Sequence, residues 1–459
     1  MLQSNHISLA ELCGSLSYAL DLTEGQPAGH CIRTTWIAYH TGLAAGLDAA
    51  MLRDVYYTAL LKDLGCSSNA ARICDLYLTD DIKLKREFKL MGTGLGPALK
   101  FVLQRTGTEA GLKQRLGAIL NILQNGGQIT VGLIETRCQR GADIAARMRF
   151  SETVQAGIRA LDEHFDGGGK PYGIGGGDLP LNANLALLGQ VADVFHEVLG
   201  PEGAVAELRS RSGSWFDPAL FDAFLRAQAT AGFWSALTDE ALPVRVFALP
   251  PGQGTTLIDE DYLDDIAEAF ADVIDAKSSF TADHSDRVTQ YTDLIAEELG
   301  FTPERRRWLR RAALLHDLGK LAVSNTILDK PNKLDETEWQ SVRSHPGIGR
   351  AILEQISVFS DIAPLAGGHH ERLDGRGYPD GLKGDEVTLG MRILAVADVF
   401  DALSADRPYR AAMSTEEALA ILDNGVGTAF DAHCVDALKR GLARLTDDAA
   451  DPAPLAAVA

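Results

Sequence analysis

The chain of 459 residues has no cysteine pair spaced C-x-x-C and no run of eighteen apolar residues. The first absence removes the zinc knuckle. Six cysteines divided five to one between the halves (Cys13, Cys31, Cys66, Cys74 and Cys138 against Cys434) do not suggest a disulfide frame either, so buried free thiols are expected. The second absence removes a membrane-spanning helix. The opening "MLQSNHISLAELCGSL" has neither the basic start nor the apolar stretch of a secretory signal, and a cytoplasmic location is expected. Positive charge is scarce as well: 43 basic against 63 acidic side chains give a formal charge of -20, which opposes attraction to nucleic acid or to an anionic membrane. Strand patterns are nearly missing. The one plausible strand, "PVRVFAL" at 243–249, is short and lies in a stretch punctuated by Pro and Gly.

What is present is the balance of a soluble globular protein, 46% hydrophobic and 23% charged, long enough for two cores. The chain also repeats itself. Asp21 falls on Asp275, His30 on His284, and "ALLKDLG" at 59–65 on "ALLHDLG" at 313–319 without a gap. The register then shifts, as though the first copy held an insertion near residues 75–130, after which "RCQRG" at 137 lies on "RSHPG" at 343. Further on, "DEHFDGGGKPYG" at 162 lies on "HERLDGRGYPDG" at 370, "VADVF" at 191 on "VADVF" at 396, and "GSWFDPALFDAF" at 213 on "GTAFDAHCVDAL" at 427. The preserved order implies duplication: a domain over 1–235, a linker over 236–258, a second domain over 259–445 and a disordered tail over 446–459. Both copies read as nearly all helix. "FTPERRRWLRRAALLHDLGK" offers Thr302 as N-cap, Pro303 in the first turn, apolar residues at helical spacing and Gly319 as a stop, and Ser414 to Glu417 forms a capping box.

The second half concentrates His284, His316, Asp317, His345, His369, His370 and Asp398, most of the histidines it has. A lone histidine is usually a satisfied core or surface group. Together with carboxylates, this many imidazoles form the ligand types that two first-row divalent ions accept. The motifs "HDLGK", "SHPGIG", "HHERLDGRGYPDGLKGDEV" and "ADVFDALSADRPYR" resemble the HD-GYP family of bacterial cyclic di-GMP phosphodiesterases, over about residues 265–445.

The resemblance implies an all-α fold of tandem HD-type helical domains and a centre of two divalent metal ions, iron or manganese. One ion would take His284, His316 and Asp398, the other His345, His369 and His370, with Asp317 bridging. Three-metal members have a Glu four residues before the first histidine; here Phe280 stands there, which argues for two. Asp317 and Lys320 are the expected catalytic residues, with Lys320, Tyr378, Arg407 and Arg410 as contacts to substrate. The implied activity is hydrolysis of cyclic di-GMP to pGpG or GMP. Two alternatives remain open: a phosphohydrolase of another nucleotide, such as a cyclic GMP-AMP hybrid, and a noncatalytic cyclic di-GMP sensor. Proteins of the GGDEF type or other signalling proteins would be partners, a homodimer stays open, and no receiver, GAF or PAS segment is recognisable.

In the first half the matching positions are occupied by His30, Lys62, Asp63, Gln139, Leu161, Asp162 and Asp193, and the Lys320 position by Cys66. Lys62 would repel cations, and this copy is expected to be catalytically dead. Its "DGGGKPYGIGGGD" is better explained as an altered GYP loop than as a phosphate-binding loop, because Pro171 follows Gly169 and Lys170 and no strand precedes it.

Overall fold

A computed structural model describes residues 8–92, 94–250, 258–278, 283–406 and 411–450, with side chains described to residue 445. Arg407, Arg410 and Phe280 lie outside the described residues, as does most of the expected tail. The elements are α-helices and short 3-10 turns, and among the described residues the only β pairing is three isolated bridges. The all-α expectation therefore holds. No described helix is long and apolar enough to cross a membrane, and all six cysteines are free, five of them buried.

Contacts divide the chain into two units: residues 1–279 with 321–329 and 355–358, and the remainder. In the first unit, helices His30–Ala44, Ala49–Leu61 and Leu181–Arg211 form the centre. Their starts are chemically marked. Asp48 accepts from the Met51 N–H at 2.9 Å, and the Asp21 carboxylate takes the N–H groups of Gly29 (2.7 Å) and Cys31 (2.9 Å) at the head of His30–Ala44. Helix Leu181–Arg211 breaks at Gly200, whose φ of 72° precedes Pro201.

The segment expected as linker, with its candidate strand, is helical over Leu242–Phe247. Phe247 lies against Gly14, where a Cβ would meet its ring at 2.1 Å, and the Tyr39 hydroxyl donates to the Leu249 carbonyl at 2.8 Å. Val244 and Val246 favour a strand weakly, and tertiary packing overrides them. The contact boundary falls later than residue 259. Helix Glu260–Asp275, the sequence counterpart of Leu9–Thr23, buries Tyr262, Ile266, Phe270 and Ile274, and the Tyr262 hydroxyl donates to the Met148 carbonyl at 2.9 Å.

The second unit is built on helices His284–Glu298, Pro303–Leu315, His345–Glu354, Leu389–Ser404, Thr415–Asn424 and Ala432–Ala450. Thr302 caps Pro303–Leu315 through the Arg305 N–H, and Ser414 with Glu417 forms the capping box expected for Thr415–Asn424.

Candidate metal centre

Helix Pro303–Leu315 ends before the motif "HDLGK", leaving His316 as its C-cap and Asp317 just beyond. Gly319 does more than stop a helix. A Cβ there would lie 1.9 Å from the His345 carbonyl oxygen, so only glycine lets this turn approach the head of helix His345–Glu354. That approach carries His345 to Asp317.

Four imidazoles are oriented from behind. The Nδ1 atoms of His316, His345 and His369 each lie 2.6 Å from the carbonyl oxygen three residues earlier, on Ala313, Val342 and Ala366. A carbonyl only accepts, so Nδ1 carries the proton and the Nε2 lone pair points inward. His284 is held differently, with Nδ1 at 2.6 Å from Asp401, a carboxylate that also binds Arg287 through Nε (2.5 Å) and Nη2 (3.2 Å).

The four Nε2 atoms converge on Asp317, whose oxygens divide them. Oδ2 lies 3.4 Å from His284 and 3.3 Å from His316; Oδ1 lies 3.2 Å from His345 and 3.8 Å from His369. Asp398 approaches from helix Leu389–Ser404, with Oδ1 3.4 Å from His284 and Oδ2 3.9 Å from His370 Nδ1. Donor atoms of His284, His316 and Asp398 lie within 4.8 Å of one another, and so do those of His345, His369 and His370. These are the two groups that the sequence resemblance implied.

The donor set fits a pair of cations. His284 Nε2, His316 Nε2 and Asp317 Oδ1 are buried without a hydrogen-bond partner, each an omission that costs about 1–3 kcal/mol unless something electrophilic fills it. Burial, reinforced by the neighbouring imidazoles His370, His316 and His345, holds His369 well below the ordinary histidine range; burial likewise takes His370 down to about 3. Burial would raise the Asp317 and Asp398 carboxyls, but His316 and Lys320 around the first and His284 and His370 around the second hold both well below the usual range. Neutral His369 and His370 beside ionised carboxylates are in the protonation states that metal ligation needs. Burial would lower His284, whereas hydrogen bonds to Asp317, Asp398 and Asp401 push it up to about 10, so a cation there would have to displace a proton.

Lys320 reaches Asp317 from the more open side of the cage. Tyr378 stands over His370 with ring centroids 4.7 Å apart, and the Arg343 guanidinium lies 5.7 Å from its ring. The loop carrying Tyr378 is fixed by Glu371, which accepts from the N–H groups of Asp380 (2.7 Å), Gly381 (3.1 Å) and Leu382 (2.9 Å). Asp401, Arg287, Arg343 and Glu371 were missed from sequence. The signal for the first two was available: each lies three residues after a ligand candidate on a helix, the same-face spacing.

The first unit repeats this architecture and corrects two sequence pairings. His30 Nδ1 lies 2.7 Å from Asp193, which Arg33 also binds through Nε at 2.7 Å and Nη2 at 3.2 Å. That is the His284–Asp401–Arg287 arrangement, so Asp193 corresponds to Asp401, and Gln190 stands where Asp398 does. The identical "VADVF" strings misled by three residues, a step that nearly completes a helical turn and preserves the buried face. Likewise, a Cβ on Gly65 would meet the Arg137 carbonyl at 1.9 Å, as one on Gly319 meets His345, so Arg137 rather than Gln139 holds the His345 position. Gln139 instead donates to Asp143 at 2.7 Å.

Cations belonging to the chain fill the cage of the first unit. Lys62 binds Asp63, Arg137 binds Asp162, and Lys89 Nζ lies 2.9 Å from Glu24 and 3.9 Å from Asp63. Glu24, Asp63 and Cys66 bring donor atoms together, yet the two carboxylates are already neutralised and burial raises the Cys66 thiol well above its ordinary value. The GYP-like loop survives: Glu163 accepts from Tyr172 (2.6 Å) and Ile174 (2.9 Å) as Glu371 does from its loop, and Gly169, like Gly377, leaves no room for a Cβ.

The HD domain family profile matches residues 99–220 and 268–434. Over 97% of this chain and 96% of the relative, the sequence is 50% identical to 3'3'-cGAMP-specific phosphodiesterase 3 of Vibrio cholerae. Cyclic di-GMP phosphodiesterase response regulator RpfG of Xanthomonas campestris is 45% identical over 38% of this chain and 47% of its own length. A crystal structure of a cyclic GMP-AMP-specific phosphodiesterase from V. cholerae superposes with a TM-score of 0.66 at 45% identity, covering 96% of this chain and 99% of that one.

Proposed function

The chain belongs to the HD domain family, in its HD-GYP branch, and from that premise we propose that it is a cyclic dinucleotide phosphodiesterase whose preferred substrate is 3'3'-cGAMP. The observation that carries the substrate is the end-to-end match, both units included, to a relative named for that specificity. The sequence reading put cyclic di-GMP first. It remains the second reading, favoured by the 45% identity to RpfG over 38% of this chain.

The reaction adds water across one P–O3′ bond: hydroxide joins phosphorus, and a proton goes to the departing 3′ oxygen. His284, His316 and Asp398 on one side and His345, His369 and His370 on the other, together with Asp317, would hold two divalent ions, iron or manganese, which would supply Lewis acidity to the phosphate. The chain's own groups do the positioning. Backbone carbonyls behind three imidazoles and Asp401 behind the fourth fix the donors before substrate arrives. Lys320 offers an ammonium to a nonbridging phosphate oxygen, and its contact with Asp317 keeps it at the rim. Tyr378, held over His370, supplies an aromatic face to a base. Arg407 and Arg410 are further phosphate contacts in this reading.

Manganese- or iron-loaded protein incubated separately with 3'3'-cGAMP and cyclic di-GMP, with products resolved by chromatography, tests the reading. Faster turnover of 3'3'-cGAMP to a linear dinucleotide, abolished in Asp317→Ala, is expected. Faster turnover of cyclic di-GMP to pGpG or GMP installs the second reading, and tight binding without product makes the chain a sensor.

A further inference from the structure

Helix Leu95–Arg105 has the sequence LGPALKFVLQR, yet buries no residue. Leu95 is 91% exposed, and Leu99 and Leu103 are nearly half exposed. Eleven residues are too few to hold a helix in water without packing. The neighbouring helix Leu112–Arg147 continues the anomaly, with Leu112, Leu116, Leu120 and Leu123 all more than half exposed. Helical geometry puts these four on one arc, and Ile122 and Ile129, which are buried, on another. From Leu116 to Ile134 there is no charged side chain, and Gly117, Gly126 and Gly127 have open space where a Cβ would stand.

We propose that this leucine stripe on helices Leu95–Arg105 and Leu112–Arg147 is a homodimer interface, covered by the same stripe of a second copy of the chain. Charge decides the occupant. Two copies of a chain carrying -20 repel each other over most of their surfaces, and an uncharged, leucine-rich stripe is where they can approach. The size agrees: seven exposed leucines with Phe88 and Leu90 present roughly 800–900 Å² of mostly apolar surface, close to the about 800 Å² per partner of a stable interface. The spacing agrees too, because Leu112, Leu116, Ile119 and Leu123 alternate steps of four and three residues, the seam of self-associating helices. A two-fold axis through the stripe makes each copy's surface its own complement.

The test uses the full chain in sedimentation equilibrium and light scattering. The wild type is expected at twice the 49.3 kDa chain mass. The double variant Leu116→Glu with Leu120→Glu and the double variant Leu116→Lys with Leu120→Lys each sediment as monomers, with helical circular dichroism unchanged because both positions are exposed. An equimolar mixture of the two recovers the dimer, which requires stripe to face stripe. A monomeric wild type, a dimer that survives both charge pairs, or a mixture that stays monomeric overturns the proposal; the last outcome assigns the stripe to another occupant.

Discussion

Two cages of the same ancestry sit in one chain, and they balance buried negative charge in opposite ways. In the second unit Asp317 and Asp398 face four inward imidazole lone pairs and leave three buried polar atoms unpartnered. In the first, Asp63 and Asp162 face Lys62 and Arg137, which stand at the positions of His316 and His345. One cage presents donor groups that could hold cations from solution; the other carries cations on its own side chains. The scaffolds hardly differ: the imidazole–Asp–Arg brace, the glycine that brings two helices together and the glutamate-held loop occur in both. One scaffold thus accommodates either a set of metal-ligand side chains or side-chain cations, with the fold unchanged.

The widest separation between the cages is expected on removing the shared aspartate of the second. Asp317→Ala should lower phosphodiesterase turnover by on the order of 10³-fold, the scale of several kcal/mol of lost charge stabilisation, measured with metal-loaded protein. In the first cage, Lys62→Met leaves buried Asp63 with only the more distant Lys89 as a cation; a stability loss of about 3 kcal/mol in chemical denaturation is expected. Chelator should reproduce that loss in neither cage-one variant nor wild-type first unit, since no ion is involved. Lys62→His should restore no second active centre, because Arg137, Leu161 and Gln190 still withhold ligands.

Acid sharpens the contrast further. Burial alone would raise the Glu24 carboxyl, but Lys89 and Lys85 bring it down to about 2. A depressed carboxyl stabilises the fold above its unfolded value and loses that contribution as pH falls toward 2. Glu24 should therefore contribute about 3 kcal/mol less at pH 2 than at pH 5, read as the difference between wild type and Glu24→Gln in urea unfolding, because buried Asp21 and Asp193, both pushed up to about 6, change in the opposite sense. A smaller effect is expected behind the metal ligands. Asp401→Asn should weaken metal affinity 10–100-fold without unfolding the unit, as read by competition with a chelating dye; Asp193→Asn, its counterpart, should leave metal affinity unchanged.

The helical class was legible because it rests on helical spacing, and Thr302 and Ser414 announced their helices by their caps; the seven ligand candidates, picked out by residue identity, lie together in the structure. What failed was register. "VADVF" and "VADVF" matched letter for letter at a displacement of three residues, and helical periodicity cannot expose such a slip, because three residues return nearly to the same face. Only the hydrogen bonds from His30 and Arg33 to Asp193 expose it. Gln139 was chosen over Arg137 by the same letter matching, and the close approach at Gly65 corrects it. Arg343 beside Tyr378 and Glu371 beneath its loop are tertiary placements with no local sequence signature. The candidate strand at 243–249 failed because its alternation lost to packing against Gly14 and Tyr39.

Ion binding separates the two cages, so the most direct test is a metal count on the full chain reconstituted with manganese under anaerobic conditions. About two ions per chain are predicted, lost in Asp317→Asn and retained in Lys62→Met. Three or four ions per chain, or ions that persist in Asp317→Asn, would contradict the assignment of the second cage to metal and the first to the chain's own cations.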